Sequence, residues 1–305
     1  SVDRRRGDVI EQLSYITFLS GFIVSIVATL AYGVAAIGSL TSYRQAVTNA
    51  GPVTVPVSVS LPGSAGTAGR IALHVALALL TVSFAFRAIA VERPPLGNLW
   101  EYTIALAWGI LLFTVVFEAA FKERSLGLVM LPGAVILMGI AIAFFPSAVS
   151  PLVPALQANR ILGIHVTTMV LSYSALSISF GASLLYMLQA SGGSVRRFVR
   201  LPDTETLSEV AYWSVLVGFP MLTLGIALGA YWANSAWGRY WGWDPKETSA
   251  LLTWLIYAGY LHARGLRGWE GKRAAWLLVV GFGAVLFTYF AVNFVFSGLH
   301  SYAGV

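Results

Sequence analysis

The sequence predicts an all-α polytopic membrane protein, a bundle of about eight transmembrane helices with an external tryptophan-rich loop. Three observations carry that expectation. Of the 305 residues, 57% are hydrophobic and only 10% are charged, whereas a soluble domain carries about 25% charged residues. The charges are too few to cover a water-facing surface of this size. The apolar residues also gather in runs of about 20, the length that crosses a hydrocarbon core. Finally, no segment alternates apolar and polar residues over ten or so positions, as a membrane β-barrel strand must. This composition excludes a disordered chain and argues against a soluble one.

The runs fall at roughly 14–40, 70–91, 99–121, 127–145, 161–189, 212–231, 248–263 and 274–297. Each is a candidate span because a helix satisfies its own backbone within the bilayer; the seventh is the shortest. Residues 1–13 lack the pattern of a signal peptide. The stretch 41–69 is rich in Ser, Thr, Val, Pro and Gly, is almost uncharged, and reads as a flexible linker. The expected organisation is therefore an N-terminal tail, first span and linker over 1–69, and a membrane domain over 70–305.

The formal net charge is +6. In a membrane protein that excess marks cytoplasmic loops and implies no nucleic-acid partner. The densest basic cluster beside a span is Arg264, Arg267, Lys272 and Arg273, which places 264–273 in the cytoplasm. Alternation then puts eleven of the 19 Lys and Arg inside and eight outside, with both termini outside. Arg4, Arg5 and Arg6 run against that bias. The second half supports it, with Arg196, Arg197 and Arg200 also inside. No cysteine is present, so a partner must bring any thiol chemistry.

The most unusual segment is 232–262, WANSAWGRYWGWDPKETSALLTWLIYAGYLH. Asp244, Pro245 and Glu247 form a helix start, with Asp as N-cap, Pro at the first helical position and Glu at the third. Trp232, Trp237, Trp241 and Trp243, with Tyr231 and Tyr240, crowd the connection before it. One or two aromatics per helix end would be an interfacial belt. Four indoles in one loop point instead to a platform for a large, planar, apolar ligand.

Only four histidines occur. Alternation places His165 and His300 at the outer face, with the tryptophan loop, and His74 and His262 at the inner face. A neutral imidazole ligates iron, and a pair at one level can hold haem iron from both sides. A lone intramembrane histidine is more often a polar contact between helices. The pairing of His165 and His300 beside the indoles favours ligation. Glu101 and Glu118 are the only acids clearly inside spans, which weakens an ion-pumping reading.

These residues resemble a known family. WGRYWGWDPKE is similar to the tryptophan-rich WWD signature of haem-handling membrane proteins. RPPLGNLWE (93–101) resembles the stretch before the third span of the CcsA/ResC family. LVPALQANRILGIHVTTMVLSYSAL (152–176) resembles that family's first external histidine segment, and SGLHSYAG (297–304) its second. The motifs keep the family order over about residues 87–305. The resemblance implies a membrane subunit of the system II cytochrome c synthase, in a bacterial plasma membrane or a thylakoid membrane. Its implied partners are a ResB/CcsB-type membrane subunit, apocytochrome c and a thioredoxin-like thiol reductant, with haem b as substrate and bound ligand.

Carried over by position, the resemblance implies that His165 and His300 are the external axial pair and that His262 is the buried inner ligand. Trp237, Trp241, Trp243 and Asp244 belong to the external haem platform. Arg87 falls where the family carries an arginine before the third-span motif. His74 matches no family histidine; it is either a local substitute for the second buried haem ligand or a structural residue, and the structural reading is preferred. Haem would enter at His262, reach His165 and His300, and present its vinyl groups to a Cys-x-x-Cys-His segment of the apocytochrome. Arg87, Arg93, Arg239 and Lys246 are the external cations open to its propionates. Two other readings remain: a system I-type protein that hands haem to a chaperone, and a secondary transporter or lipid flippase. The latter would call for inverted repeats or midplane charges, and neither is evident.

Overall fold

The computed structural model describes residues 2–50, 63–149, 160–191 and 201–291. His300, the 297–304 motif and the arginines at 196–200 lie outside the described residues. Eight helices follow in order: α1 (Val2–Ala50), α2 (Ser64–Val91), α3 (Leu99–Phe121), α4 (Gly127–Phe144), α5 (Arg160–Ala190), α6 (Thr204–Trp237), α7 (Pro245–Arg267) and α8 (Lys272–Leu286). A five-residue π-helical turn, Phe287–Ala291, continues α8. Among the described residues, seven of the helices are long and apolar enough to cross a membrane, and α7 is the exception. Its outward residues Leu252 and Leu255 are exposed, while Ser249, Thr253, Tyr257 and Tyr260 are buried. Those inward polar residues lower its hydropathy without exposing them to lipid.

Helix ends follow the local chemistry. Asn98, Asp203 and Asp244 cap α3, α6 and α7, each side chain accepting a backbone N–H from the first turn. Gly238 and Gly268 end α6 and α7 in the left-handed region, at φ 74° and 58°, which an L side chain rarely adopts. Two boundaries differ from the sequence expectation. Helix covers residues 41–50 and 64–69 of the stretch expected as linker. Likewise α6 continues through Trp232 and Trp237, so the aromatic connection between α6 and α7 shortens to residues 238–244. Uncharged Ser, Asn and Ala are tolerated in a helix interior, and no Pro or Gly lies between Tyr231 and Trp237 to end α6 before Gly238.

α1 pairs with α2 and α5 with α6, while α3 packs on α4 and α5, and α8 on α5 and α7. Small residues allow the close approaches. A Cβ on Gly109 of α3 would overlap Ser174 of α5, and one on Gly218 of α6 would overlap Leu176 of α5. With the helices alternating in direction, one face of the bundle gathers the starts of α3, α5 and α7 and the ends of α2, α4 and α6. The opposite face carries the Tyr32–Glu118 hydrogen bond (2.8 Å) and the Arg264–Glu209 ion pair (2.9 Å).

Candidate functional site

The first face holds a cavity of about 150 Å³, where one water needs about 10–15 Å³. Its walls come from five directions: Gly97, Leu99 and Tyr102 before and in α3; Leu162 to Tyr173 on α5; Ile226 to Ala233 on α6; Trp241 with the first turn of α7; and Thr288 with Tyr289 of the π-turn. The lining is mostly apolar and aromatic with a few polar groups, the usual character of a small-molecule site.

His165 is set into this wall from α5. Its Nδ1 lies 2.7 Å from the Gly225 carbonyl of α6. A carbonyl only accepts, so Nδ1 carries the proton and donates, and the lone pair belongs to Nε2. That is the arrangement in which an imidazole ligates metal through one nitrogen and is oriented through the other. Gly229, one turn on, makes the room: a Cβ there would lie 2.6 Å from Cε1 of His165.

The aromatic wall is rigid in part. Trp232 is buried and meets Trp237 edge-on at 4.8 Å between ring centroids. Trp241 meets Trp243 edge-on at 5.8 Å. Trp243 itself is 69% exposed and holds φ 56°, a left-handed conformation that costs a bulky residue energy and persists only where its surroundings impose it. Here the α7 cap imposes it. Glu247 Oε2 accepts from the N–H groups of Gly242 and Asp244 at 2.8 and 3.1 Å, and Asp244 Oδ1 accepts from Lys246 N–H at 2.8 Å. The capping box thus locks the backbone that carries both Trp241 and Trp243.

Of the four external cations singled out in the sequence, Lys246 lines the cavity and the others do not. Burial pushes its ammonium down to about 8, opposed by the nearby Asp244 carboxylate. Arg239 lies over Gly242 in the aromatic connection. Arg87 is buried behind the wall, donating from Nε to Glu101 Oε1 at 2.9 Å, pairing with Glu11 at 3.4 Å and stacking 5.0 Å above Trp100. Glu101 also accepts from Arg93 Nη1 at 3.0 Å and from the Gly97 N–H at 2.7 Å. This buried network ties α2 and the 92–98 connection to the start of α3.

The remaining histidines lie elsewhere. His74 is exposed on α2 with Nδ1 2.7 Å from the Arg70 carbonyl of its own helix, and His262 is exposed near the end of α7. Both sit toward the opposite face, away from the cavity. Among the described residues, no group of three or more His, Asp or Glu could hold a metal ion. Sequence reasoning passed over Tyr102, Tyr173, Tyr289 and Met169 as lining residues. Tyr173 stands on the His165 segment, eight residues from the histidine, and that spacing is the signal that could have found it.

The fold and cavity define a helical membrane protein with an aromatic ligand cavity at one face, carrying one oriented imidazole. Residues 96–300 match the family model described as cytochrome C assembly protein, and the chain belongs to that family. Among its relatives named cytochrome c biogenesis protein CcsA, that of Guillardia theta is 39% identical over 230 residues, covering 68% of this chain and 76% of that protein. That of Pyropia yezoensis is 34% identical over 291 residues, covering 81% and 91%. The CcsA of Gloeobacter violaceus is 35% identical over 287 residues, covering 74% and 84%. A solved structure named Cytochrome c Heme Lyase CcmF matches with a TM-score of 0.68 at 18% identity, over 92% of this chain and 46% of that one. That likeness is one of fold.

Proposed function

We propose that this protein takes part in cytochrome c biogenesis by holding haem b as substrate in the cavity, at the extracytoplasmic face, for covalent attachment to apocytochrome c. The observation that carries this reading is His165, an imidazole oriented through Nδ1 on a backbone carbonyl within an aromatic-lined cavity. The lining suits a porphyrin: apolar and aromatic walls for the macrocycle, an imidazole for iron, and the Lys246 ammonium for a propionate. His300 supplies the second axial imidazole, His262 receives haem at the inner face, and Trp237, Trp241, Trp243 and Asp244 form the platform beside the cavity mouth. Arg87 acts behind the wall through Glu101, and His74 is structural.

The chain's residues position and orient; the bond-forming atoms are the vinyl groups of haem and the two thiols of the apocytochrome Cys-x-x-Cys-His segment. Each thiol adds across one vinyl, so its sulfur forms the new C–S bond and its hydrogen ends on the adjacent carbon. The absence of cysteine in this chain keeps competing thiols away from the vinyls. A ResB/CcsB-type subunit is the membrane partner, and a thioredoxin-like protein keeps the apocytochrome thiols reduced. The host bilayer is a bacterial plasma membrane or a thylakoid membrane.

The test is spectroscopic. The purified protein is expected to carry a Soret band with the α and β bands of bis-imidazole haem. In His165→Ala and His300→Ala these bands weaken or return only on adding imidazole. Normal haem loading and normal cytochrome c maturation in both variants would refute the ligand assignment.

A further inference from the structure

α7 is amphipathic in reverse. Leu252 and Leu255, each 53% exposed, face outward, whereas Ser249, Thr253, Tyr257 and Tyr260 are all at most 6% exposed. Spacings of four, four and three residues place these four hydroxyls in one inward stripe. The stripe begins at the cavity, where Thr253 Oγ1 lies 3.4 Å from Thr288 Oγ1 of the cavity wall. It ends at a second void of about 10 Å³, lined by Ser183, Tyr186, Ser208 and Tyr260 among others. That is room for about one water and far too little for a planar macrocycle. Beyond this void, Arg264 donates to Ser208 Oγ at 2.8 Å and to Glu209 Oε1 at 2.9 Å, and the Glu209 side chain is 46% exposed at the opposite face.

Hydroxyls inside a bundle often do no more than satisfy their own helix, and several here do so. Ser174, Ser177, Ser179 and Ser214 each donate to a carbonyl three or four residues back, and so do Ser249, Thr253 and Thr288 of the stripe and cavity wall, to the carbonyls of Lys246, Ser249 and Ala284. Two hydroxyls along the stripe differ. Ser183 Oγ is buried and, among the described residues, has no hydrogen-bond partner, and the equally buried Tyr257 Oη faces only the Ser179 hydroxyl, outside good hydrogen-bonding geometry. An unmet buried hydroxyl costs about 1–3 kcal/mol, a cost that a buried water removes. Along α7 the Cα positions of these residues rise by about 6, 6 and 4.5 Å at 1.5 Å per residue, a scale that one or two waters bridge.

We propose that the inward face of α7, together with Thr288, Ser183 and Tyr186, lines a file of waters that passes protons between the cavity and the opposite face. Hydroxyls and waters both donate and accept, so a proton advances by exchanging one O–H bond for the next. No electrons move and no charge remains in the file. Glu247 stands at the cavity end of the file and Glu209 at the other. The proposal does not depend on what the cavity binds.

The full chain, reconstituted into vesicles that enclose a pH-sensitive dye, is given a potassium gradient and valinomycin. Proton entry is expected to exceed that of protein-free vesicles. It is expected to fall to the protein-free rate in Tyr257→Phe and Thr253→Val, and to persist in Ser214→Ala, whose hydroxyl lies off the stripe. Entry no faster than in protein-free vesicles, or unchanged in Tyr257→Phe, overturns the proposal. Ser183→Ala at the lower void makes the same test should Tyr257→Phe not fold. X-ray hydroxyl-radical labelling in heavy-oxygen water reads the water directly. Tyr257 and Tyr260 are expected to take up label, whereas the equally buried Phe18 is not. Unlabelled tyrosines overturn the file.

Discussion

Lys246 stands where burial disfavours its ammonium, which is why its pKa lies near 8, well under its ordinary 10.5. The sign of the consequence is fixed by linkage. Between these values the unfolded chain binds a proton that the folded chain has released, so this group makes stability rise with pH across that window. A carboxylate brought beside Lys246 reverses the shift, because an opposite charge favours the ammonium. Binding of a propionate-bearing haem is therefore expected to take up a proton above pH 8 and to weaken as pH rises further. Titrating haem affinity from neutral pH into the alkaline range tests this. Lys246→Arg should flatten the dependence, since guanidinium stays charged, and an unchanged slope in that variant would remove Lys246 from the ligand's surroundings. A second prediction belongs to Gly229. Gly229→Ala places a methyl 2.6 Å from the His165 ring and should push the imidazole off the Gly225 carbonyl. Haem retention should then fall and recover partly with free imidazole. Gly259→Ala on α7, where an added Cβ meets nothing within 4 Å, should leave the spectrum unchanged.

At the scale of elements, the start of α3 depends on a single buried carboxylate. Glu101 accepts from Arg87, Arg93 and the Gly97 N–H, so removing it leaves the Arg87 guanidinium buried with Glu11 alone. Stranding one partner of a buried pair costs about 3–5 kcal/mol. Glu101→Ala should lower thermal stability in detergent by that order and loosen the connection that carries Gly97 and Leu99 to the cavity. Arg87→Met combined with Glu101→Gln should cost less than the sum of the two single changes, because each single change strands the other's charge. Strict additivity would show that the two residues do not act as a unit. The sequence displayed Arg87 and Glu101 fourteen positions apart on separate runs, and nothing in that spacing announces their contact. The cap at Asp244 was legible because it is local. The far end of α6 was not, since Trp, Tyr, Asn and Ser between 231 and 237 read as loop by hydropathy although no Pro or Gly lies among them. α7 was legible as a helix, but its inward hydroxyls disguise its length as a run of apolar residues.

Across the whole molecule, alternation of direction determines which ends share a face, and that much follows from the order of the helices. It is why His165 on α5 and Trp241 before α7, about 75 positions apart in the sequence, line one cavity, while His74 and His262 sit toward the other face. Which face meets the cytoplasm rests on charge. Arg264, Arg267, Lys272 and Arg273 gather at the end away from the cavity, and cationic residues beside spans are retained inside. The cavity mouth is then expected outside, where a secreted apocytochrome could reach it. The chain carries no cysteine, so a single introduced thiol reports its own side without background. Tyr240 is 57% exposed in the aromatic connection, and Glu270 is exposed between α7 and α8. In intact cells or spheroplasts, a membrane-impermeant maleimide is expected to label Tyr240→Cys at once and Glu270→Cys only after lysis. Labelling of Glu270→Cys alone in intact cells would turn the bundle over, place the cavity in the cytoplasm and leave the proposed attachment chemistry on the wrong side of the bilayer.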